Sequence, residues 1–433
     1  LGYPVCISII AKLTGFSVFW ASKTCNILFA FIGFLILKKY FTKDFLIYSM
    51  VFFIPGISRI FTYTWSEVPF IVFLLLLSIT LNKFIEAKKT SASLYISLFF
   101  ICVGLFLSRY IGIFSVGLIS LVAIWVIYKK RDFVSASKLL LTASCVGIIC
   151  FLYLYNNYTQ TGFITGMPRI ASPESNFQLL KMLSKAQIYE LLGGAPSRII
   201  SFFYSFLLSW TIYKTMKYKK TAENSSKIYF GVLSVGIIYW LSIVVIRWIS
   251  QFDGFSFRLL GPSTMLFFIA GIIYLQKNLD SIHYNHIKKV LLSGMIFIFI
   301  ASNYIYPIYK HFFKEIPNYA QTIESTREKY KQIEDESIVA FASVHLNYLR
   351  PSIQSNPPYF WPYFKNKETL AEYLARVKKA NTSNLYIEID KNISTDRFDE
   401  SIYQFMQTHP VGIVKIKNLN SNYSIKSLYK TQL

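Results

Sequence analysis

Residues 92–131 read ASLYISLFFICVGLFLSRYIGIFSVGLISLVAIWVIYKKR. Between Ala92 and Tyr128 the only formal charge is Arg109. A helix of about 20 apolar residues crosses a bilayer, so the stretch holds two spans, 92–107 and 110–128, interrupted at Ser108-Arg109-Tyr110. An arginine within a span is costly unless it faces water or a partner, which puts Arg109 at a turn on the membrane surface. Lys129, Lys130 and Arg131 then close the second span with a basic cluster.

The same pattern runs outward in both directions. Further candidate spans are 18–37, 44–56, 66–83, 136–155, 197–213, 227–248, 258–276 and 289–308, which makes about ten. The segment 44–56 is short for a span and is expected to tilt or insert only in part. The whole chain has 433 residues, of which 54% are hydrophobic and 15% charged, against about 25% charged in soluble proteins. The expected fold class is a polytopic α-helical membrane protein.

The lysines supply the orientation. Lys38, Lys39 and Lys43 follow the first span, Lys83, Lys88 and Lys89 the third, and Lys129, Lys130 and Lys138 the fifth. Lys214, Lys217, Lys219, Lys220 and Lys227 follow the seventh, and Lys277, Lys288 and Lys289 the ninth. Basic loops stay cytoplasmic, so residues 1–17, 57–65, 156–196, 249–257 and 309–433 are expected outside. The formal charge of +23 would suggest nucleic acid in a soluble protein. Here the excess sits in short loops that orient spans, so no nucleic-acid partner is expected; the bilayer is the partner. Cys6, Cys25, Cys102, Cys145 and Cys150 all fall in apolar stretches without a CxxC pair. Neither a disulfide framework nor a zinc site follows from them, and no metal or cofactor is expected.

Residues 1–310 form the expected membrane module and 311–433 a soluble extracytoplasmic domain. Within the latter, Ser337–Ser343, Leu385–Asp390, Val411–Lys417 and Tyr423–Tyr429 read as strands, and Lys367–Ala380 and Arg397–Thr408 as helices, giving a small α/β unit. No phosphate loop, triad or metal motif stands out in it. Residues 2–13, and the helical stretch from Phe177 to Leu191, read as amphipathic helices at the membrane interface.

Charged residues at the outer ends of spans are the candidates for chemistry. They are Glu67 in Tyr63-Thr64-Trp65-Ser66-Glu67-Val68-Pro69-Phe70, Arg109, Arg169 in Gly166-Met167-Pro168-Arg169, and Arg247, Asp253 and Arg258 around the eighth-to-ninth turn. Each also has a plain structural reading. Ser66 and Glu67 suit a helix start, Arg109 and Arg258 suit snorkelling from helix ends, and Asp253 beside Gly254 suits a turn. Arg169 suits a solvated loop. Taken together, a carboxylate and several arginines at one interface suit an anionic lipid headgroup, because arginine binds phosphate bidentately and a carboxylate can serve as general base toward a hydroxyl.

At these residues the sequence resembles the large-loop membrane glycosyltransferases of the GT-C class, in particular bacterial relatives of the protein O-mannosyltransferase and aminoarabinose transferase group. Gly2-Tyr3-Pro4 before an apolar helix is similar to the family's Tyr-Pro segment, and Ser66-Glu67-Val68-Pro69-Phe70 to its Ser-Glu-Pro-Leu-Phe type motif. Ser108-Arg109-Tyr110-Ile111-Gly112 resembles its Thr-Arg-Tyr segment, and the run from Gly162 to Arg169 its Gly…Gly-x-Arg loop. Arg258-Leu259-Leu260-Gly261-Pro262 resembles Arg-Tyr-Leu-Leu-Pro, with Leu259 where the family often has Tyr. The motifs run in order over about residues 1–310.

The resemblance implies an inverting transferase that moves a sugar from a polyprenyl-phosphate donor to a glycan, lipid or protein acceptor on the outer face of a bacterial cytoplasmic membrane. It casts Arg109, Tyr110, Arg169 and Arg258 as substrate-binding residues, and Arg247 joins them by its place at the outer end of its span. It makes Glu67 a secondary acidic group, with Asp253 as its rival for the catalytic carboxylate. It also implies a catalytic Asp on a first outer loop after a first span, expected upstream of Leu1. The competing expectations are a flippase or transporter of lipid-linked sugars, which should show repeats and midplane helix breaks, and a non-catalytic membrane scaffold.

Overall fold

The computed structural model describes residues 2–86, 90–161, 164–165, 174–191, 227–250, 255–305, 308, 319–335, 337–342, 346, 353–356, 369–370, 372, 384–389, 400–417 and 424–430. The chain divides into two compact units, Leu1–Phe313 and Lys314–Leu433. The expected span at 197–213 and most of the expected helix at 367–380 lie outside the described residues, as do Arg169 and Asp253.

The first unit is a helical membrane bundle. Its helices are α1 (Gly2–Thr14), α2 (Val18–Tyr40), α3 (Phe45–Ser49), α4 (Pro55–Thr62), α5 (Glu67–Glu86), α6 (Ala92–Ser108), α7 (Phe114–Lys130), α8 (Phe133–Thr161), α9 (Asn176–Leu191), α10 (Lys227–Ile249), α11 (Phe257–Asn278) and α12 (Ser281–Ile300). Among the described residues seven helical stretches are long and apolar enough to cross a membrane: α2, α5, α8, α10 and α11, with α7 and α12 lengthened by adjoining turns. The count reaches eight if the bent segment from α3 to α4 is one span. α6 is as apolar but has only 17 residues, about 25 Å of helix against a hydrocarbon core of about 30 Å.

Local chemistry sets several of the breaks. α1 stops at Gly15, whose φ of 71° is the left-handed conformation that glycine adopts without a Cβ clash. The short segment at 44–56 folds as α3, a 3₁₀ turn at Met50–Phe53, and the start of α4, with a 66° bend. Pro55 causes the bend. A residue before proline is driven out of the helical region, and Ile54 sits at φ −57°, ψ 124°, with Pro55 opening α4. α1 packs on its neighbour: Tyr3 and Ile7 are buried against Ala21 and Cys25 of α2.

Helix polarity sorts the ends of the bundle. Lys38 and Lys39 end α2, Lys83 lies in the last turn of α5, Lys129 and Lys130 end α7, and Lys277 ends α11. Contacts tie these termini together. Lys83 lies 4.8 Å from the Tyr40 ring, Lys130 Nζ donates to the Phe84 carbonyl at 3.3 Å, and Asp44 takes Lys288 and, at 2.7 Å, Gln276 Nε2. One end of the bundle is therefore the lysine-rich end. α5 and α11 are the most enclosed of the spans, and both begin at the opposite end, with Glu67 and Phe257-Arg258.

The second unit carries a five-stranded mixed sheet in the order β2-β1-β3-β4-β5. Its strands are β1 (Ile338–Ala340), β2 (Gln354–Asn356), β3 (Leu385–Ile389), β4 (Gly412–Lys417) and β5 (Ser424–Lys430). β1 runs parallel to β2 and β3, and β3-β4-β5 is an antiparallel meander. Successive side chains point to opposite faces. Ile338, Ala340, Leu385, Ile387 and Ile389 therefore share one face with Ile402 and Met406 of α14 (Glu400–Thr408), while Val339, Tyr386 and Ile413 meet Tyr330 and Ile333 on the other. All five residues of β3 are buried, including Glu388, which accepts hydrogen bonds from Lys329, ending α13 (Tyr319–Lys329), and from the Tyr330 hydroxyl. The expected strands form within a few residues of their expected positions. β2 and α13 are additions, because three residues of strand and a polar helix leave no periodic apolar signal.

Candidate functional site

The site builds from the N-terminus of α5. Glu67 is fully buried in the first helical turn, where a carboxylate complements the exposed N–H groups. Its partners go well beyond helix capping. Arg109 Nη1 lies 3.0 Å from Glu67 Oε1, and Arg258 Nε donates to the same oxygen. Two guanidinium groups thus share one carboxylate oxygen. The other oxygen, Oε2, is buried and has no hydrogen-bond partner among the described residues. An unsatisfied buried acceptor costs about 1–3 kcal/mol, so this atom is the natural receiver for a hydroxyl or water.

Each arginine is held by a specific backbone feature. Arg109 is extended (φ −151°, ψ 138°) between α6 and a 3₁₀ turn at Tyr110–Ile113, which breaks the helix and turns the residue toward α5. Its Nη1 also donates to the Arg258 carbonyl at 3.2 Å. That carbonyl is available because of Pro262, which lies inside α11 and has no N–H to return to the residue four positions back. The next carbonyl, of Leu259, accepts from the buried Tyr239 hydroxyl at 2.9 Å. The proline thus frees the Arg258 carbonyl, which Arg109 from the α6–α7 turn occupies.

Arg258 also lies over an aromatic shelf. Its guanidinium carbon is 5.1 Å from the Trp65 ring, a cation–π arrangement. Trp65 stacks on Tyr63 with ring centroids 4.2 Å apart and meets Phe257 at 5.8 Å. Asn26 of α2 fixes this loop: its Nδ2 donates to the Phe61 and Tyr63 carbonyls at 2.8 and 2.7 Å, and its Oδ1 accepts from the Tyr3 hydroxyl at 2.6 Å. Lys23 Nζ adds a bond to the Thr62 carbonyl at 2.6 Å. The shelf, Asn26 and Lys23 are not among the residues expected from sequence. Only the Trp at two residues before Glu67 offered a local signal, whereas a lone Asn in an apolar span reads as tolerated polarity until its partners are known.

Of the expected site residues, Glu67, Arg109 and Arg258 converge. Arg247 pairs elsewhere: it is 1% exposed and its Nη2 lies 2.6 Å from Glu174, just before α9. That pair tethers the segment leading into α9, whose helix packs against α11 and α4. The Tyr110 hydroxyl turns toward α8, accepting from Asn157 Nδ2 at 3.3 Å and lying 3.5 Å from the Tyr153 hydroxyl. No group of side chains suited to a metal ion occurs among the described residues. No protein-family model matches the chain, and no curated protein matches it.

Proposed function

We propose that the chain is a membrane glycosyltransferase module that takes its sugar from a polyprenyl-phosphate donor at the face of the membrane opposite the lysine-rich end. The observation that carries this reading is the buried Glu67 with two arginines on one oxygen and a free second oxygen. The two guanidinium groups supply planar, forked donors of the kind that bind a lipid phosphate. Arg258, with a side chain 35% exposed, is the arginine that can exchange part of its pairing for the phosphate. Oε2 of Glu67 suits an acceptor hydroxyl, held for transfer to the sugar carbon as the phosphate leaves. The full count of about ten spans belongs to the same proposal, as does the siting of the second unit outside the cytoplasm. The sugar enters only as the phosphate's cargo, and the acceptor is a hydroxyl compound of the outer face.

The test is binding and turnover with a polyprenyl-phosphate sugar. Losing a charge-assisted hydrogen bond costs about 1.5–3 kcal/mol, so Arg258→Ala should bind the lipid phosphate about tenfold or more weakly. Arg258→Lys should recover only part, since an ammonium cannot fork onto phosphate and carboxylate together. Unchanged affinity in Arg258→Ala would refute the phosphate contact. One feature favours a carrier instead, the 66° break between α3 and α4. Movement of the intact lipid-linked sugar between leaflets, without transfer to any acceptor, would establish that reading.

The orientation has its own check. A reporter that works only in the cytosol, fused after Leu433, should be silent, and one fused after Lys130 should be active. The reverse pattern would place the cluster in the cytoplasm and end the proposal of an outer-face reaction.

A further inference from the structure

Between α4 and α5 the chain carries two aromatic rings into one flat stack. Tyr63 and Trp65 lie 12° from parallel with centroids 4.2 Å apart, and Phe257 extends the surface at 29° to Trp65. Tyr63 is 46% exposed, so the stack ends in an open ring. α2 holds this loop by three successive carbonyls: Asn26 donates to those of Phe61 and Tyr63, and Lys23 to that of Thr62. The rim of the shelf is polar. Thr62 and Thr64 are exposed, and Thr64 Oγ1 lies 2.8 Å from Ser22 Oγ and 3.4 Å from Lys23 Nζ. The inner end of the shelf meets the carboxylate site through Arg258, whose guanidinium carbon is 5.1 Å from the Trp65 ring while its Nε donates to Glu67.

We infer that the Tyr63–Trp65 shelf binds the pyranose ring of the donor lipid, with its anomeric phosphate at Arg258. The inference rests on the phosphate assignment of Arg258. A pyranose presents a face of C–H bonds, positive at the hydrogens, which matches the negative face of an aromatic ring. Its hydroxyls project around the perimeter, where Thr64 and Lys23 stand. The sugar is joined directly to the phosphate, so a ring beside the phosphate-binding guanidinium is where it must lie. An isoprene unit could use the rings but not the polar rim. Rings that merely anchor a chain at the membrane interface have no need of a loop fixed by Asn26, which is 2% exposed.

The experiment measures the affinity of the full chain, in lipid nanodiscs, for undecaprenyl phosphate and for the same lipid carrying glucose, mannose or galactose. At least one sugar lipid should bind about fivefold more tightly than the bare phosphate lipid. Tyr63→Ala should abolish that difference, and Tyr63→Phe, which keeps the ring, should retain it. Equal affinity of the unaltered chain for all four lipids overturns the inference and needs no variant to fold. So does a Tyr63→Ala variant that keeps the difference, including one that weakens bare and sugar lipids alike, which is the mark of a structural role. Tyr63-dependent binding of soluble cellobiose, alongside equal affinity for the four lipids, would assign the shelf to an acceptor sugar and also overturns it. A chain that binds none of the four lipids ends the phosphate reading itself, whereas equal binding of all four ends only this inference.

Discussion

Glu67→Ala is expected to destabilise the membrane bundle by about 3 kcal/mol. Removing one partner from a buried ion pair costs about 3–5 kcal/mol, because the remaining charge loses its compensation. The lower end applies here, since Arg258 keeps partial access to solvent. Arg109 is the more enclosed of the two, with a side chain 14% exposed, and should suffer most. Thermal unfolding in detergent micelles measures the loss. Combining Glu67→Leu with Arg109→Met and Arg258→Met should restore stability, because apolar replacement of a whole buried ionic cluster is often neutral or favourable. The triple variant should nonetheless fail to bind a polyprenyl phosphate. A stable, binding-competent triple variant would show that the cluster serves only packing. Unaltered melting of Glu67→Ala would mean that the two arginines do not depend on it.

The second large effect is expected at Gly112, in the turn that aims Arg109. A Cβ there would stand 2.5 Å from both the Leu105 carbonyl oxygen and the Phe106 nitrogen. These are backbone atoms of α6 and cannot rotate away, so the 3₁₀ turn at Tyr110–Ile113 must lift off the helix end. Gly112→Ala should cost at least the ~1–3 kcal/mol typical of overpacking. It should also weaken lipid-phosphate binding, by displacing Arg109 from Glu67 and from the Arg258 carbonyl. Gly117, one turn further into α7, is the control: a Cβ there meets nothing within 4 Å. Gly117→Ala should be neutral or stabilising by up to about 1 kcal/mol, the difference in helix propensity. If the two variants melt alike, close backbone approach is not what position 112 requires.

The small glycine in Ser108-Arg109-Tyr110-Ile111-Gly112 illustrates how far the sequence goes. Its place after an arginine and between two apolar runs marks a turn, and the turn is there. That α6 would come close enough to exclude a methyl group is a property of the folded turn. Pro262 behaves in the same way. Its lack of an N–H is written in the sequence, but the donor that takes the released Arg258 carbonyl is Arg109, 149 residues away.

What the sequence by itself determined was local or one-dimensional. Runs of apolar residues decided the long helices, Pro55 decided the bend between α3 and α4, and the lysine alternation decided which helix ends share a side. The alternating strands of the second unit were legible for the same reason, since a period of two needs only neighbours. Tertiary structure alone decided who meets whom at the far end of the bundle. Glu67 and Arg258 are 191 residues apart, and the six outer-face candidates were equivalent until the helices packed. Packing sent Arg109 and Arg258 to Glu67 but Arg247 to Glu174, because each guanidinium, once removed from water, binds the carboxylate that its helix register brings within reach. Hydropathy fixes how deep a residue lies in the membrane; only the rotation and approach of neighbouring helices fix its partner.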